Sequence, residues 1–378
     1  MYLKYKFIEL KMNKDLLQTL LKTFGVIAAL YLFLVGINGM SSAIKQMGAG
    51  VAESIFTATS NPFVALFIGV FATVLFQSSS TTTSLIVGMV SSGALGISGA
   101  IPMIMGANIG TTVTNTIVSV GHINKGTEFK RAFAASTVHD FFNILAVLII
   151  FPIEITFHFI ERIARSLAEL LFGSMLNVDV LQAKSPIKVA VKSGAKFIES
   201  FTFDNDIVYL VVSVLITFVC LVCIVKLLRS LVLEKIEAFF DQYIFKTAIR
   251  AIGFGIILTI MVQSSSITTS LVVPLAGAGV LTLKKIFPFT LGANIGTTVT
   301  ALLAALTGTV AALIAAISHL LFNIFGITII YGIPQLRAIP LMLAEKISEL
   351  AVKNKFIPII YLLIVFGAIP LSIILLTT

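Results

Sequence analysis

Two identical polar tetrapeptides lie inside apolar stretches of this chain. Both read Gln-Ser-Ser-Ser, at 77–80 and at 263–266, and they are separated by 186 residues. A nine-residue segment, GANIGTTVT, follows each of them at the same offset, at 106–114 and at 292–300. So many identities at one offset indicate a duplicated unit. Polar side chains are costly at membrane depth unless they line a cavity or bind a ligand, so the pair favours a transporter with its substrate near the midplane.

The two polar tetrapeptides have the chemistry of an oxyanion site. A helix that begins directly after each one presents free backbone N–H groups and its positive dipole end, and serine hydroxyls add further donors. Close helix packing by small residues would explain a single Ser-Ser-Ser, but not two copies that are each followed by GANIGTTVT. We therefore predict that a phosphate-like anion is bound by Gln77, Ser78, Ser79, Ser80, Asn108, Gln263, Ser264, Ser265, Ser266 and Asn294.

The same segments also have the chemistry of a cation site. Neither tetrapeptide and neither GANIGTTVT segment contains Lys or Arg. A divalent anion held there by dipoles alone would be poorly neutralised, so co-bound cations are physically needed. Hydroxyl and amide oxygens are hard ligands that suit an alkali cation. The predicted sodium ligands are Gln263, Ser264, Thr297 and Thr300 in the second half, and Gln77, Ser78, Thr111 and Thr114 in the first.

A third polar group contains the only acid that we place inside a membrane span. It consists of His139, Asp140 and Asn143, and a related pattern, HLLFN, recurs at 319–323. Acids within spans are by default functional, as ion ligands or proton relays. A salt bridge to the basic pair at 130–131 is the structural alternative, but that pair lies about 14 Å away along a helix. We assign Asp140 and Asn143 to a sodium site and give the histidines no role.

Composition identifies the class of protein. Hydrophobic residues make up 58% of the chain and charged residues only 11%, with a mean hydropathy of +1.06. The stretches 61–120, 251–283 and 286–336 contain no Asp, Glu, Lys or Arg, and each is long enough for two or more membrane segments. The net charge of +9 comes mainly from basic residues between the spans, which favours a lipid bilayer over nucleic acid as the partner. The two cysteines, Cys220 and Cys223, are expected to be apolar helix residues.

We predict an all-α polytopic membrane protein made of two inverted-topology repeats and one extra C-terminal span. Each repeat contains a span, a re-entrant helical hairpin with Gln-Ser-Ser-Ser at its tip, and two further spans. The predicted segments are a cytoplasmic N-terminal segment (1–23), repeat one (24–153), an external linker (154–206), repeat two (207–332), and an amphipathic segment with the final span (333–378). The predicted spans are 24–44, 101–120, 132–153, 207–228, 286–306, 311–332 and 357–376, and the hairpins are 62–93 and 248–280.

The charges of the loops support the inversion. The connection 121–131 is basic while its counterpart 307–310 is uncharged, and the loop 91–100 is uncharged while its counterpart contains a lysine pair at 284–285. Basic loops thus alternate between the halves, as inverted repeats require under the positive-inside rule. The linker 154–206 is external in this scheme and yet contains four lysines, which conflicts with the rule. Inversion explains more of the loops, and it places the N-terminus in the cytoplasm.

The chain resembles the type II sodium–phosphate cotransporter family. In the first half the resemblance rests on QSSSTTTS, IPMIMGANIGTTVTNTIVSV, EFKRAF, TVHDFFN and FPIE, and in the second on QSSSITTS, PFTLGANIGTTVT and HLLFN. It covers most of residues 24–376 and is highly specific. It implies phosphate bound between the two tips and sodium at Gln263, Ser264, Thr297 and Thr300. An enzyme is not expected, because the serine-rich tips have no nearby general base other than His139, and no resident cofactor is expected. Members with an aspartate at the position of Asp140 are electrogenic and take one more sodium ion.

Together these observations predict a sodium-coupled importer of inorganic phosphate in the plasma or inner membrane, working by alternating access. The compact chain lacks the long tails and the cysteine-rich external loop of animal members, and its form is that of a prokaryotic member. Sulfate as the oxyanion, or proton coupling through Asp140 and His139, is the alternative within transport. An ion channel is the alternative in a different class, because polar hairpins could also line a pore.

Overall fold

The structure, a computed structural model, describes residues 2–176, 186–236 and 244–377. These residues form helices and contain no β-strand. The helices up to residue 176 are α1 (Tyr2–Gln46), α2 (Ala49–Ala58), α3 (Pro62–Phe76), α4 (Ser79–Ser92), α5 (Ile97–Gly110), α6 (Val113–Val120), α7 (Thr127–Phe157) and α8 (Phe159–Leu176). Those that follow are α9 (Pro186–Glu199), α10 (Asp206–Ile236), α11 (Ala248–Val262), α12 (Ser265–Ser270), α13 (Val272–Gly277), α14 (Leu283–Ala305), α15 (Val310–Gly332), α16 (Pro334–Lys353), α17 (Ile357–Leu363) and α18 (Ile369–Thr377).

The prediction of an all-α polytopic membrane protein is confirmed. Among the described residues, six helical stretches are long and apolar enough to cross a bilayer. They are Leu16–Gln46, Thr127–Phe157, Asp206–Leu231, Leu283–Ala305, Val310–Gly332 and Ile357–Leu376. Three shorter apolar helical stretches, Pro62–Phe76, Ala248–Val262 and Ser265–Gly277, belong to the two predicted hairpins.

Each polar tetrapeptide interrupts a pair of apolar helices. Only residues 77 and 78 separate α3 from α4, and only residues 263 and 264 separate α11 from α12. The helix–break–helix arrangement therefore lies where the sequence predicts it. The entry of these helices from opposite membrane faces, and the inversion of the repeats, stay predictions because they depend on the position of the bilayer.

The glycines of the two GANIGTTVT segments allow equivalent helix pairs to approach closely. Helix α3 packs on α5, and α11 packs on α14. A methyl group added at Gly106 would collide with the carbonyl oxygen of Leu66, and one at Gly292 with that of Ile252. Because only glycine fits at such a contact, part of the duplicated motif serves helix packing rather than ligand binding.

The predicted span 101–120 differs from its counterpart in the second half. It consists of two helices, α5 and α6, that are interrupted at Thr111 and Thr112, whereas α14 is continuous. The Asn143 amide donates to the carbonyl of Asn108 over 2.8 Å, and the Ser266 hydroxyl donates to that of Thr111 over 3.3 Å. Side chains from other elements thus donate hydrogen bonds to backbone carbonyls of this span. Side chains that insert in this way interrupt the backbone hydrogen bonds of a helix.

Three other features go beyond the sequence prediction. The helical stretch that follows the second Gln-Ser-Ser-Ser is split at Leu271, because Pro274 cannot donate to the carbonyl four residues earlier. The predicted external linker contains two helices, α8 and α9, on either side of residues 177–185, which lie outside the described part. A π-helical turn, Ile364–Ala368, separates α17 from α18 within the final span.

Candidate anion and cation sites

The two tips have the same backbone geometry. Gln77 and Gln263 end the first arm of each hairpin in the left-handed region, with φ values of 52° and 55°. The next residue is extended and caps the following helix through its hydroxyl: Ser78 Oγ accepts from the N–H of Thr81 over 3.2 Å, and Ser264 Oγ accepts from that of Ile267 over 3.3 Å. Gln-Ser-Ser-Ser therefore encodes a sharp end of one helix and a capped start of the next.

Both glutamine side chains stabilise this strained turn. The Gln77 amide donates to the carbonyl of Val74 over 2.6 Å, and the Gln263 amide donates to that of Ile260 over 2.7 Å. A left-handed residue other than glycine costs on the order of 1–3 kcal/mol. The folded-back amide offsets part of that cost and leaves the side-chain oxygen pointing away from the helix end.

The amide oxygens of the glutamines meet the threonines at the ends of the GANIGTTVT segments. Thr114 Oγ1 lies 3.2 Å from Gln77 Oε1, and Thr300 Oγ1 lies 2.9 Å from Gln263 Oε1. The predicted association of each tip with the threonine of its own half is present in both halves.

Contacts between the halves bring the two tips into one region. Thr300 Oγ1 also lies 3.4 Å from Ser80 Oγ of the first tip. Thr269, one turn beyond the second tip, lies 2.7 Å from the Asn115 amide of the first half. The polar segments of both halves therefore form one largely buried cluster and not two separate sites.

The second serine of each tip is well placed to donate a hydrogen bond to a bound anion. Ser79 and Ser265 are the first residues of α4 and α12, and both are buried. Their hydroxyls make no hydrogen bond to any residue that the structure describes. The first N–H groups of a helix also lack intrahelical partners. Each tip thus offers hydroxyl and backbone donors that a phosphate oxygen can accept.

The predicted sodium ligands differ in burial between the halves. Gln263 is 8% exposed, and Thr297 and Thr300 are more deeply buried, while Ser264 is half-buried. In the first half Gln77 is exposed, Ser78 and Thr114 are half-buried, and Thr111 is buried. The set in the second half is therefore the better shielded.

The buried threonines of these sets keep the oxygen lone pairs that a cation needs. Thr297 donates its proton to the carbonyl of Ala293 over 3.0 Å, and Thr111 donates to that of Ala107 over 2.9 Å. A hydroxyl that donates to its own helix retains both lone pairs for another partner. Oxygens of this kind, without nitrogen or sulfur ligands, suit a hard cation.

Asn108 and Asn294, the asparagines of the two GANIGTTVT segments, have different hydrogen-bond partners. Asn294 Oδ1 lies 2.6 Å from His139 Nε2, and the Asn294 amide donates to Asn143 Oδ1 over 2.7 Å. The Asn108 amide instead donates to the carbonyl of Ile104 in its own helix over 3.1 Å. In the second half, neither ring nitrogen of the buried His319 has a hydrogen-bond partner among the described residues. The related motifs thus adopt two different hydrogen-bonding states.

Asp140 lies in a different environment from Asn143, although we assigned both to one site. The Asp140 side chain is fully buried, and its Oδ2 accepts a hydrogen bond from the hydroxyl of Tyr361 over 2.9 Å. The hydroxyls of Thr112 and Thr116 lie beside the carboxylate. Asn143 bonds to Asn294 and to the carbonyl of Asn108 instead. Sequence reasoning missed Tyr361, whose only signal is a polar hydroxyl in a largely apolar span.

The chain matches the Na+/Pi-cotransporter family over residues 32–177 and 215–339. It belongs to this family. The sodium-dependent phosphate transport protein 2B of Homo sapiens is 34% identical over 91% of this chain and 63% of its own length. The sodium-dependent phosphate transport protein 2A of Ovis aries is 34% identical over 93% of this chain and 67% of its own length. The family resemblance inferred from the motifs is confirmed.

The chain spans about 63–67% of the length of these curated relatives. No solved structure matches it significantly. The matched residues include both tips, both GANIGTTVT segments and Asp140.

Proposed function

We propose that this protein is a secondary active transporter that imports inorganic phosphate together with sodium ions. The observation that carries the proposal is the convergence of two equivalent helix breaks in one polar cluster, each with a buried serine whose hydroxyl has no hydrogen-bond partner among the described residues. The names of the relatives, which are sodium-dependent phosphate transport proteins, support the same substrate and the same driving ion.

In the proposed site, phosphate lies between the two tips. Ser79 and Ser265 donate from opposite sides, together with the first backbone N–H groups of α4 and α12. The remaining tip residues, together with Asn108 and Asn294, line the rest of the site. Two half-sites on separate hairpins can be exposed alternately to either side of the membrane, which is how alternating access would operate in a protein with inverted repeats.

Sodium coupling follows from the charge of this region. The polar cluster has no basic side chain to neutralise a divalent anion. Sodium ions at Gln263, Ser264, Thr297 and Thr300 and at the equivalent set in the first half would supply the missing positive charge. Each ion lowers the electrostatic cost of binding the other, so phosphate and sodium would bind cooperatively. Asp140 would hold one additional sodium ion and so make each transport cycle move net positive charge.

The proposed location is the cell membrane, with the N-terminus in the cytoplasm. The apolar helices require a bilayer, and the distribution of basic loops supports this orientation.

Uptake of radiolabelled phosphate into proteoliposomes tests the proposal. An inward sodium gradient should accelerate uptake and drive accumulation above the outside concentration, whereas an equal potassium gradient should not. Uptake that responds to a proton gradient and ignores sodium would contradict sodium coupling. Competition by excess sulfate would contradict phosphate selectivity, and flux without accumulation, at the rates of an open pore, would contradict a coupled carrier.

A further inference from the structure

The carboxylate of Asp140 has two unequal oxygens. Oδ2 accepts from the Tyr361 hydroxyl over 2.9 Å, while Oδ1 has no hydrogen-bond partner among the described residues. The buried hydroxyls of Thr112 and Thr116 lie beside this carboxylate, and that of Thr116 makes no hydrogen bond of good geometry to a described residue. An ionised carboxylate buried with an unsatisfied oxygen is costly unless a cation or a proton compensates it. Two unpartnered buried oxygens close together have the chemistry of a cation site.

Tyr361 is held firmly in its place against Asp140. Its ring packs on the rings of Phe133, Phe141 and Phe366, with centroid separations of 6.5, 6.0 and 6.1 Å. The side chain is only 7% exposed. Because its ring is surrounded on several sides, the hydroxyl has little freedom to leave the carboxylate.

The backbone next to Tyr361 also has an unusual conformation. A π-helical turn, Ile364–Ala368, follows α17 directly and contributes Phe366 to the packing around the tyrosine. Pro370 has no N–H to donate to the carbonyl of Phe366, which accounts for the irregular turn at this position. The final span, which has no counterpart in the first half, thus has an irregular backbone close to the residue that contacts Asp140.

We propose that Tyr361 is a positioning residue for a sodium ion bound at Asp140. Its hydroxyl holds Oδ2 and leaves Oδ1 available, and Oδ1 and the neighbouring hydroxyl oxygen of Thr116 ligate the ion. The proposal rests on the proposed function, because it takes sodium as the ion that the protein binds. It extends the cation site to the final span, which lies outside both repeats.

The test uses Tyr361→Phe, which removes the hydroxyl and preserves the ring. The sodium concentration for half-maximal phosphate uptake should rise about tenfold, since loss of a residue that orients a metal ligand typically weakens binding by that order. The phosphate concentration for half-maximal uptake at saturating sodium should stay unchanged. Tyr31→Phe is the matched control, because Tyr31 donates to the backbone carbonyl of Ala190 and lies in α1. It should leave both values unchanged.

A double variant separates positioning from a general effect on structure. In an Asp140→Gly background, Tyr361→Phe should cause no further shift in sodium dependence, because the group that it positions is absent. An equal shift with and without Asp140, or no shift in either background, would overturn the proposal. A rise in the phosphate concentration for half-maximal uptake, without a change in the sodium concentration, would overturn it as well.

A binding measurement keeps this proposal distinguishable from the proposed function. The melting temperature of the purified protein should rise with sodium chloride relative to choline chloride. Tyr361→Phe should require about tenfold more sodium for the same rise. Wild-type uptake without sodium would contradict the proposed function, whereas sodium stabilisation that is identical in wild type and Tyr361→Phe would contradict the role of Tyr361.

Discussion

At the scale of single residues, the tips follow closely from their sequence, whereas the partners of Asp140 do not. A serine that precedes a helix is a common cap, so the roles of Ser78 and Ser264 are predictable from local chemistry. The bond from Tyr361 to Asp140 joins residues 221 positions apart. Neither residue carries a local signal for the other, because their contact depends on where the final span packs.

The second serine of each tip, Ser79 or Ser265, is expected to be essential for transport. Ser79→Leu and Ser265→Leu each remove a hydroxyl and place a larger side chain at a buried position, which in the proposed function contacts the anion. Either variant should reduce sodium-dependent phosphate uptake by at least about 100-fold, because the anion loses a donor and its space. Ser92→Leu, at the far end of α4, is the control and should retain uptake. If one tip tolerates leucine while the protein remains folded, the anion is not shared between the tips.

Asp140 is expected to determine the electrical character of transport. With divalent phosphate, two sodium ions make a neutral complex and a third leaves one net positive charge. Moving one charge across 100 mV is worth about 2.3 kcal/mol. Asp140→Gly should therefore retain some sodium-dependent uptake in proteoliposomes but lose its response to a potassium–valinomycin potential.

Glu53→Gln, which removes an exposed acid of α2, is the control for the charge of Asp140. It should respond to the potential as the wild type does. Uptake by Asp140→Gly that still carries net current would place the additional charge elsewhere. Complete loss of transport would assign Asp140 a structural or proton-handling role.

At the scale of elements, the sequence predicts where the helices lie better than it predicts where they break. The pattern of apolar runs and polar tips identifies both helix–break–helix arrangements, because a polar run within an apolar segment is visible locally. The interruption at Thr111 and Thr112 is not visible, since the identical segment at 292–300 forms continuous helix. The difference arises from side chains of other elements, among them Ser266, that bond to the carbonyl groups of the first copy.

Close packing between α11 and α14 is expected to depend on Gly255. A methyl group there would collide with the carbonyl oxygen of Phe289, whereas one at Gly253, two residues earlier, meets no heavy atom within 4 Å. Gly255→Ala should destabilise the protein by about 1–3 kcal/mol, the usual cost of overpacking. Gly253→Ala should be neutral or stabilising by up to about 1 kcal/mol. Melting temperatures in the same detergent compare the two, and equal values would show that the helices can move apart.

At the scale of the whole molecule, the duplicated sequence motifs lie in equivalent pairs of packed helices, but the two copies differ in their hydrogen bonds. The equivalent helix pairs α3–α5 and α11–α14 pack through the same glycines. The equivalent hydrogen-bond groups, however, are not equally used: His139 pairs with Asn294, whereas His319 has no partner among the described residues. Sequence identity cannot distinguish the copies, so this asymmetry required the structure. Under alternating access, we expect the two halves to exchange these roles.

The central claim is that one anion site and its cation sites form a single, mutually stabilised unit. Equilibrium binding of radiolabelled phosphate to the purified protein, measured as sodium replaces choline at constant ionic strength, tests it most directly. The account predicts one phosphate per chain, an affinity that rises at least tenfold with sodium, and a reciprocal rise in sodium affinity with phosphate. Phosphate binding with the same affinity in sodium and in choline would contradict it.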